Sequence, residues 1–170
     1  LQLQAKTADW KGARETLRNK LKYGSMPRDL HKRRDAVLAL TEAMVSQEEG
    51  DMETAGKFAI EANRLSPDLI PAAAMAARAF TAQGNKRKAV SILRKTWGVS
   101  PHPDLAAAFA ELEPDETPAA RLKRFSKLFS LQPNHRETKL VEAELYISAE
   151  DFPAARRAVT KIVEQEPDAR

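Results

Sequence analysis

The side chains of this sequence that can carry chemistry are three histidines, scattered carboxylates and one dense run of cations. His31, His102 and His135 stand far apart, and none has a second histidine four residues away, the spacing that lets one helix face a metal with two ligands. Each can serve alone as an axial haem or metal ligand. Each also fits the ordinary place of a histidine at a helix end, and His102, set between Pro101 and Pro103, is expected to open a helix. The carboxylates of the segments EEGDMET (48–54) and EPDET (113–117) fall at turns and helix starts, where negative charge complements the helix dipole. The cations are denser. In MPRDLHKRRDAV (26–37), Arg28, Lys32, Arg33 and Arg34 gather with His31 within two turns of a helix start. Such a group can grip an acidic partner, anionic lipid head groups or the propionates of a porphyrin. The competing reading is a solvated face paired with Asp29 and Asp35. Cations at a helix start oppose its dipole, which favours a functional reason for them.

No glycine-rich phosphate loop, dinucleotide fingerprint or nucleophile elbow is present, and the expectation is a chain that is not an enzyme. The net charge of +4 over 170 residues is mild and does not suit a dedicated nucleic-acid binder. There is no cysteine, so disulfides and thiolate metal sites are excluded. No window of eighteen apolar residues occurs. The sequence opens at Leu1 inside a helix-like pattern, and we expect a piece of a longer protein, with any anchor or targeting signal outside it.

What must position these residues is a repeat. Gly50 and Gly84, Ala55 and Ala89, Pro67 and Pro101, and Pro133 and Pro167 are each 34 residues apart. That is the tetratricopeptide period, two antiparallel helices per unit. The landmarks have mechanical roles. Gly50 and Gly84 suit the left-handed residue that ends a helix. Asp9, Asp51, Asn85 and Asp151 suit the cap of the next one. Ala55, Ala89 and Ala155 are expected where paired helices cross closest, and the prolines close the second helix. The predicted fold class is all-α, a right-handed solenoid of antiparallel helix pairs in approximate units 1–25, 29–67, 69–101, 102–133 and 135–167. Helices are expected over 9–24, 29–49, 52–65, 69–83, 86–97, 103–112, 118–131, 136–149 and 152–166. The fourth unit is irregular. Pro101 to Pro133 is 32 residues, and Pro114 falls where the first helix would continue, so that helix is expected to be shortened. The apolar faces read as Val37, Leu38, Leu40 and Met44, then Ala89, Ile92 and Leu93, then Leu140, Val141, Leu145 and Ile147. Phe125 and Phe129 are expected in the core, and the basic runs 84–90 and 120–129 on exposed helix faces.

Arrays of this kind bind on the concave side, lined by first helices. With each repeat alanine counted as position 20, groove positions 5 and 9 hold Leu40 and Met44, Ala74 and Arg78, then Leu140 and Glu144. The lysine–asparagine set that clamps C-terminal carboxylates is missing. The candidate partner-binding residues are therefore Leu40, Met44, Arg78, Leu140 and Glu144, suited to a helix or apolar segment of a partner protein. The candidate contacts for an acidic partner, lipid or porphyrin are Arg28, His31, Lys32, Arg33 and Arg34. No resident metal or cofactor is expected, with haem as the alternative.

The blocks DWKGARETL, KRRDAVL, SPDLIPAAAMAARAF, KRKAVSILRKTW, SPHPDLAAAFAEL and AEDFPAARRAV, in this order, resemble the C-terminal tetratricopeptide region of HemY-type inner-membrane proteins, with the alphaproteobacterial branch closest. The most specific pairing is SPDLIPAA with PHPDL one repeat later. The resemblance implies a protein anchored by two N-terminal membrane helices outside this sequence, with this domain on the cytoplasmic side of a bacterial inner membrane. It also implies a role in organising late haem-biosynthesis enzymes or handing over a porphyrin. Two alternatives stand beside it: a haem or porphyrin chaperone, and an envelope-assembly scaffold unrelated to haem. A flavin-dependent oxidase that shares the family's name would need a dinucleotide fingerprint that this sequence lacks. The resemblance carries over no site residues.

Overall fold

The computed structural model describes residues 9–24 and 26–165, and all structural statements concern these. They form nine α-helices and no strand. The order is α1 (Trp10–Lys22), α2 (Arg28–Glu48), α3 (Met52–Leu65), α4 (Ile70–Ala82), α5 (Lys86–Trp97), α6 (Pro103–Ala110), α7 (Pro118–Phe129), α8 (Arg136–Ser148) and α9 (Phe152–Gln165). Every expected helix is present with its ends within two residues. The parts of units 1–25 and 135–167 that fall on residues 1–8, 25 and 166–167 lie outside the described residues. The contacts divide the chain into two compact units, meeting between Ile92 and Leu93 within α5.

The helix joints carry the repeat. At the end of α2, Gly50 has φ +82°, and Asp51 N–H donates to Ser46 O at 2.9 Å. At the end of α4, Gly84 has φ +74°, and Asn85 N–H donates to Phe80 O at 2.8 Å. This six-residue closure around a left-handed residue satisfies carbonyls that the helix end leaves open. The next side chain then starts the following helix. Asp51 Oδ1 accepts from Thr54 N at 3.0 Å and Asn85 Oδ1 from Lys88 N at 3.2 Å. The joint between α8 and α9 has the same bonds, with Asp151 N–H donating to Tyr146 O at 2.9 Å and Asp151 Oδ1 accepting from Ala154 N at 3.0 Å. Its left-handed residue, however, is Glu150 at φ +60°. Asp9 caps α1 the same way, accepting from Gly12 N at 2.9 Å.

In the first unit α1 packs on α2, α2 on α3 and α3 on α4. The three-residue joint between α2 and α3 makes that pair antiparallel. The core is built of small side chains. Ala39, Leu40, Ala62 and Ala72 form one cluster, with Leu69 and Met75 against it. Ala43, Ala59 and Ala76 form another, with Phe58, Ile60, Met75 and Ile92 against it. The expected apolar face of α2 is therefore corrected. Val37 is 46% and Met44 50% exposed, while Ala36, Ala39 and Ala43 are fully buried. Helices that approach closely select alanine for the contact line and push longer side chains to its edge. Ala55, Ala89 and Ala155 are buried, and Gly56 also lies at a close approach, since a Cβ on residue 56 would lie 3.1 Å from the Ala79 methyl.

In the second unit α6, α7 and α9 all pack on α8, and the core is aromatic. The Phe109 and Phe125 rings meet edge to face at 4.9 Å, and Phe129 lies 5.7 Å from Phe125. The expected shortening of α6 is observed, since it has eight residues and ends before Pro114. Arg124 replaces the missing turn. Its Nη1 donates to Phe109 O at 2.6 Å, and its guanidinium lies 4.6 Å from the Phe109 ring centroid. Glu116 holds Arg124 in place, accepting from Nε at 2.9 Å, and also accepts from Arg121 Nε at 3.2 Å. The arginine hydrogen bonds hold the Glu116 carboxyl below the usual range, Arg124 contributing most. On α8 the buried face is Thr138, Val141 and Ala143, while Ile147, expected inside, is 54% exposed.

Candidate functional site

A cleft of about 490 Å³ opens in the second unit between α6, α7 and α8. Ala106, Ala107 and Ala110 form one wall, and Leu140, Val141 and Leu145 the other, with Phe125 beneath. The space exists because the α6 wall carries only methyl groups where larger side chains would fill it. Its polar margin is Glu137, Glu144 and Arg121. Arg121 is committed locally, to Glu116 at 3.2 Å and to the Pro114 carbonyl at 3.0 Å. Glu137 and Glu144 are seven residues apart on one face of α8, about 10 Å along the helix. Burial raises the Glu137 carboxyl above its usual range and repulsion from Glu144 adds to this, while His102, His135 and Arg136 oppose the shift. Of the expected groove residues, the structure brings Leu140 and Glu144 together here.

A smaller notch of about 230 Å³ lies in the first unit, lined by Met52, Gly56, Ala59, Met75, Arg78 and Ala79 among others. The expected groove set divides around it. Arg78 lines the notch, and Met44 is half exposed on α2. Leu40 is 8% exposed and Ala74 2%, so both belong to the core and neither presents itself to a partner. Their position on the close-packed line of the helix decides this.

The structure divides the expected basic cluster. His31 is buried, with Nε2 enclosed and without a hydrogen-bond partner. Arg33 turns to the joint between α3 and α4, donating to Ser66 Oγ at 2.6 Å and to Asp68 Oδ2 at 2.8 Å. Arg28, Lys32 and Arg34 are exposed. Asp35, expected to balance these cations, points instead into the core.

Asp35 belongs to a group that the sequence reading missed. Arg14, on α1 and 6% exposed, donates Nε to Asp35 Oδ1 at 2.7 Å. Its Nη1 reaches Glu42 Oε2 at 3.1 Å, and Nη2 reaches Glu61 Oε1 at 2.6 Å. One guanidinium thus joins α1, α2 and α3 through three carboxylates. Burial alone would lower the pKa of Arg14, but the hydrogen bonds to Glu61 and Asp35 outweigh it and raise the pKa above its ordinary value. A signal for this was present. Asp35 shares its helical phase with Ala39, Ala43 and Ser46, and Arg14 sits beside Ala13 and Leu17, so both charges occupy apolar positions.

His102 and His135 are helix caps. Their Nδ1 atoms accept from Asp104 N at 3.2 Å and from Glu137 N at 3.1 Å. For His102 this is the expected role. Among the described residues no three His, Asp or Glu side chains gather so as to hold a metal ion, and no helix is long and apolar enough to cross a membrane. No protein-family model matches the sequence, and no curated protein matches it.

Proposed function

We propose that this chain is a docking domain, a right-handed solenoid of tetratricopeptide-like helix pairs that holds a segment of a partner protein and is not itself an enzyme. The architecture is supported by the joints, where the same six-residue closure and the same capping bond recur at Gly50–Asp51, Gly84–Asn85 and Glu150–Asp151. Docking is supported chiefly by the cleft of about 490 Å³, apolar in its walls and charged at its margin. That combination suits a protein segment, whose apolar side chains enter while its polar groups stay at the rim. By the HemY-type resemblance, the partner belongs to the late haem-biosynthesis machinery on the cytoplasmic face of a bacterial inner membrane.

The test is photo-crosslinking in native membranes from the full-length protein, with the reactive residue at Ala107 in the cleft or at Met44 on α2. The expected result is one discrete adduct from Ala107, lost when Leu140→Glu is introduced. Absence of any discrete adduct from both positions overturns the docking reading.

A further inference from the structure

The acidic margin of the cleft says what kind of segment enters it. Glu137 and Glu144 both line the cleft from one stripe of α8, with Leu140 and Val141 between them along the helix. Arg121, the cation that lines the cleft, is already engaged. Arg121 and Arg124 hold Glu116, and Lys139 pairs with Glu142 at 2.7 Å. Glu137 is half-buried against apolar walls and is repelled by Glu144, and His102, His135 and Arg136 offset part of this. A pair of like charges kept beside an apolar floor is unfavourable for the empty cleft, and an incoming cation relieves it. Resting on the docking reading above, we propose that the cleft receives an amphipathic partner helix with lysine or arginine at both ends of a two-turn apolar stripe. The cations lie against Glu137 and Glu144, and the apolar side chains lie against Ala106, Ala107 and Leu140. The seven-residue spacing of the acids matches cations seven residues apart on a helix laid along α8, since both helices rise equally per residue.

The alanine wall adds a size rule. Ala106, Ala107 and Ala110 leave room for leucine-sized side chains, whereas the carboxylates reject acidic residues at the ends of the stripe.

The experiment is selection of binders to the whole chain from a displayed library of amphipathic helices with randomised end positions. Recovered binders should carry Lys or Arg about seven residues apart. Their affinity should fall with added salt, and it should fall about tenfold when Glu137→Gln and Glu144→Gln are combined, with most of the salt dependence lost in that variant. The melting temperature of that variant should be no lower than that of the parent chain. Binders without basic enrichment, blocked by Ala107→Arg yet indifferent to the glutamine changes, would overturn the charge rule and leave the docking reading standing. Recovery of no binder that Ala107→Arg blocks would overturn both. Sedimentation at rising concentration tests the remaining occupant. A dimer that dissociates on Glu137→Gln and Glu144→Gln would show that a second copy fills the cleft, and the partner-helix inference would fall.

Discussion

Arg14→Met is the substitution that bears hardest on the first unit. It keeps most of the apolar stem but removes the guanidinium that joins Asp35, Glu42 and Glu61, whose oxygens lie 2.6–3.1 Å from it. A hydrogen bond to a charged group stabilises by about 1.5–3 kcal/mol, so simple addition over three carboxylates would exceed 4 kcal/mol. That sum overstates the loss. The Glu61 side chain is 32% exposed and regains water, whereas that of Asp35 is 9% exposed and does not. The loss is therefore dominated by the carboxylates stranded on Asp35 and Glu42, the latter 13% exposed, and removing the partner of a buried pair costs about 3–5 kcal/mol. At about 2–4 °C per kcal/mol for a chain of this length, the melting temperature falls by roughly 6–20 °C. Urea unfolding followed by circular dichroism measures the energy, and amide exchange over Trp10–Lys22 should quicken first, because the network fastens α1. Arg14→Lys recovers only part, since an ammonium cannot reach three acceptors in a planar fork. Adding Asp35→Leu to Arg14→Met should restore part of the stability, because one of the two buried stranded charges is then gone. An Arg14→Met variant within 1 kcal/mol of the parent, or a double variant no better than the single, would refute the reasoning.

Three further outcomes are expected. At the joints, Glu150→Gly should stabilise by about 0.5–1 kcal/mol and Gly84→Ala should destabilise by about 1 kcal/mol, because both positions are left-handed and Gly84 has open space around it; thermal melts of the two variants check the opposite signs. The Glu116 carboxyl is depressed in the fold, so its contribution is present above the unfolded carboxylate pKa of about 4.3 and is lost as pH falls below it. Urea midpoints of Glu116→Gln should lack that acid-range decline while lying below the parent at neutral pH. Titration with haem should give no saturable Soret shift that depends on His31, since this imidazole is 8% exposed and Arg33 is held by Ser66 and Asp68; a shift abolished by His31→Ala would restore the porphyrin reading.

Local rules made the helices legible. Gly50, Gly84, Asp51 and Asn85 act on their own backbone within a few residues, so their 34-residue recurrence predicted these two joints without knowledge of what packs against them. The shortening of α6 followed from Pro114 for the same reason. Glu150 shows the limit. Its left-handed conformation is imposed by the closure around it and not by its own preference. Side-chain fate was less legible. Leu40 and Met44 are four residues apart on one helix, yet one is core and the other half exposed, because neighbouring helices cover only a narrow line. His31 and Arg33 read as one cationic patch, and the packing sends one inward and the other to Asp68.

The sequence by itself determined the helices, their joints and the absence of thiol chemistry, since these depend on residue type and near neighbours. Only the tertiary structure decided that Arg14 gathers three carboxylates and that Glu137 and Glu144 border an apolar cleft. Those groupings join residues 21 to 47 positions apart in the first unit and three separate helices in the second. Distance between charges in space, not along the chain, sets their energy.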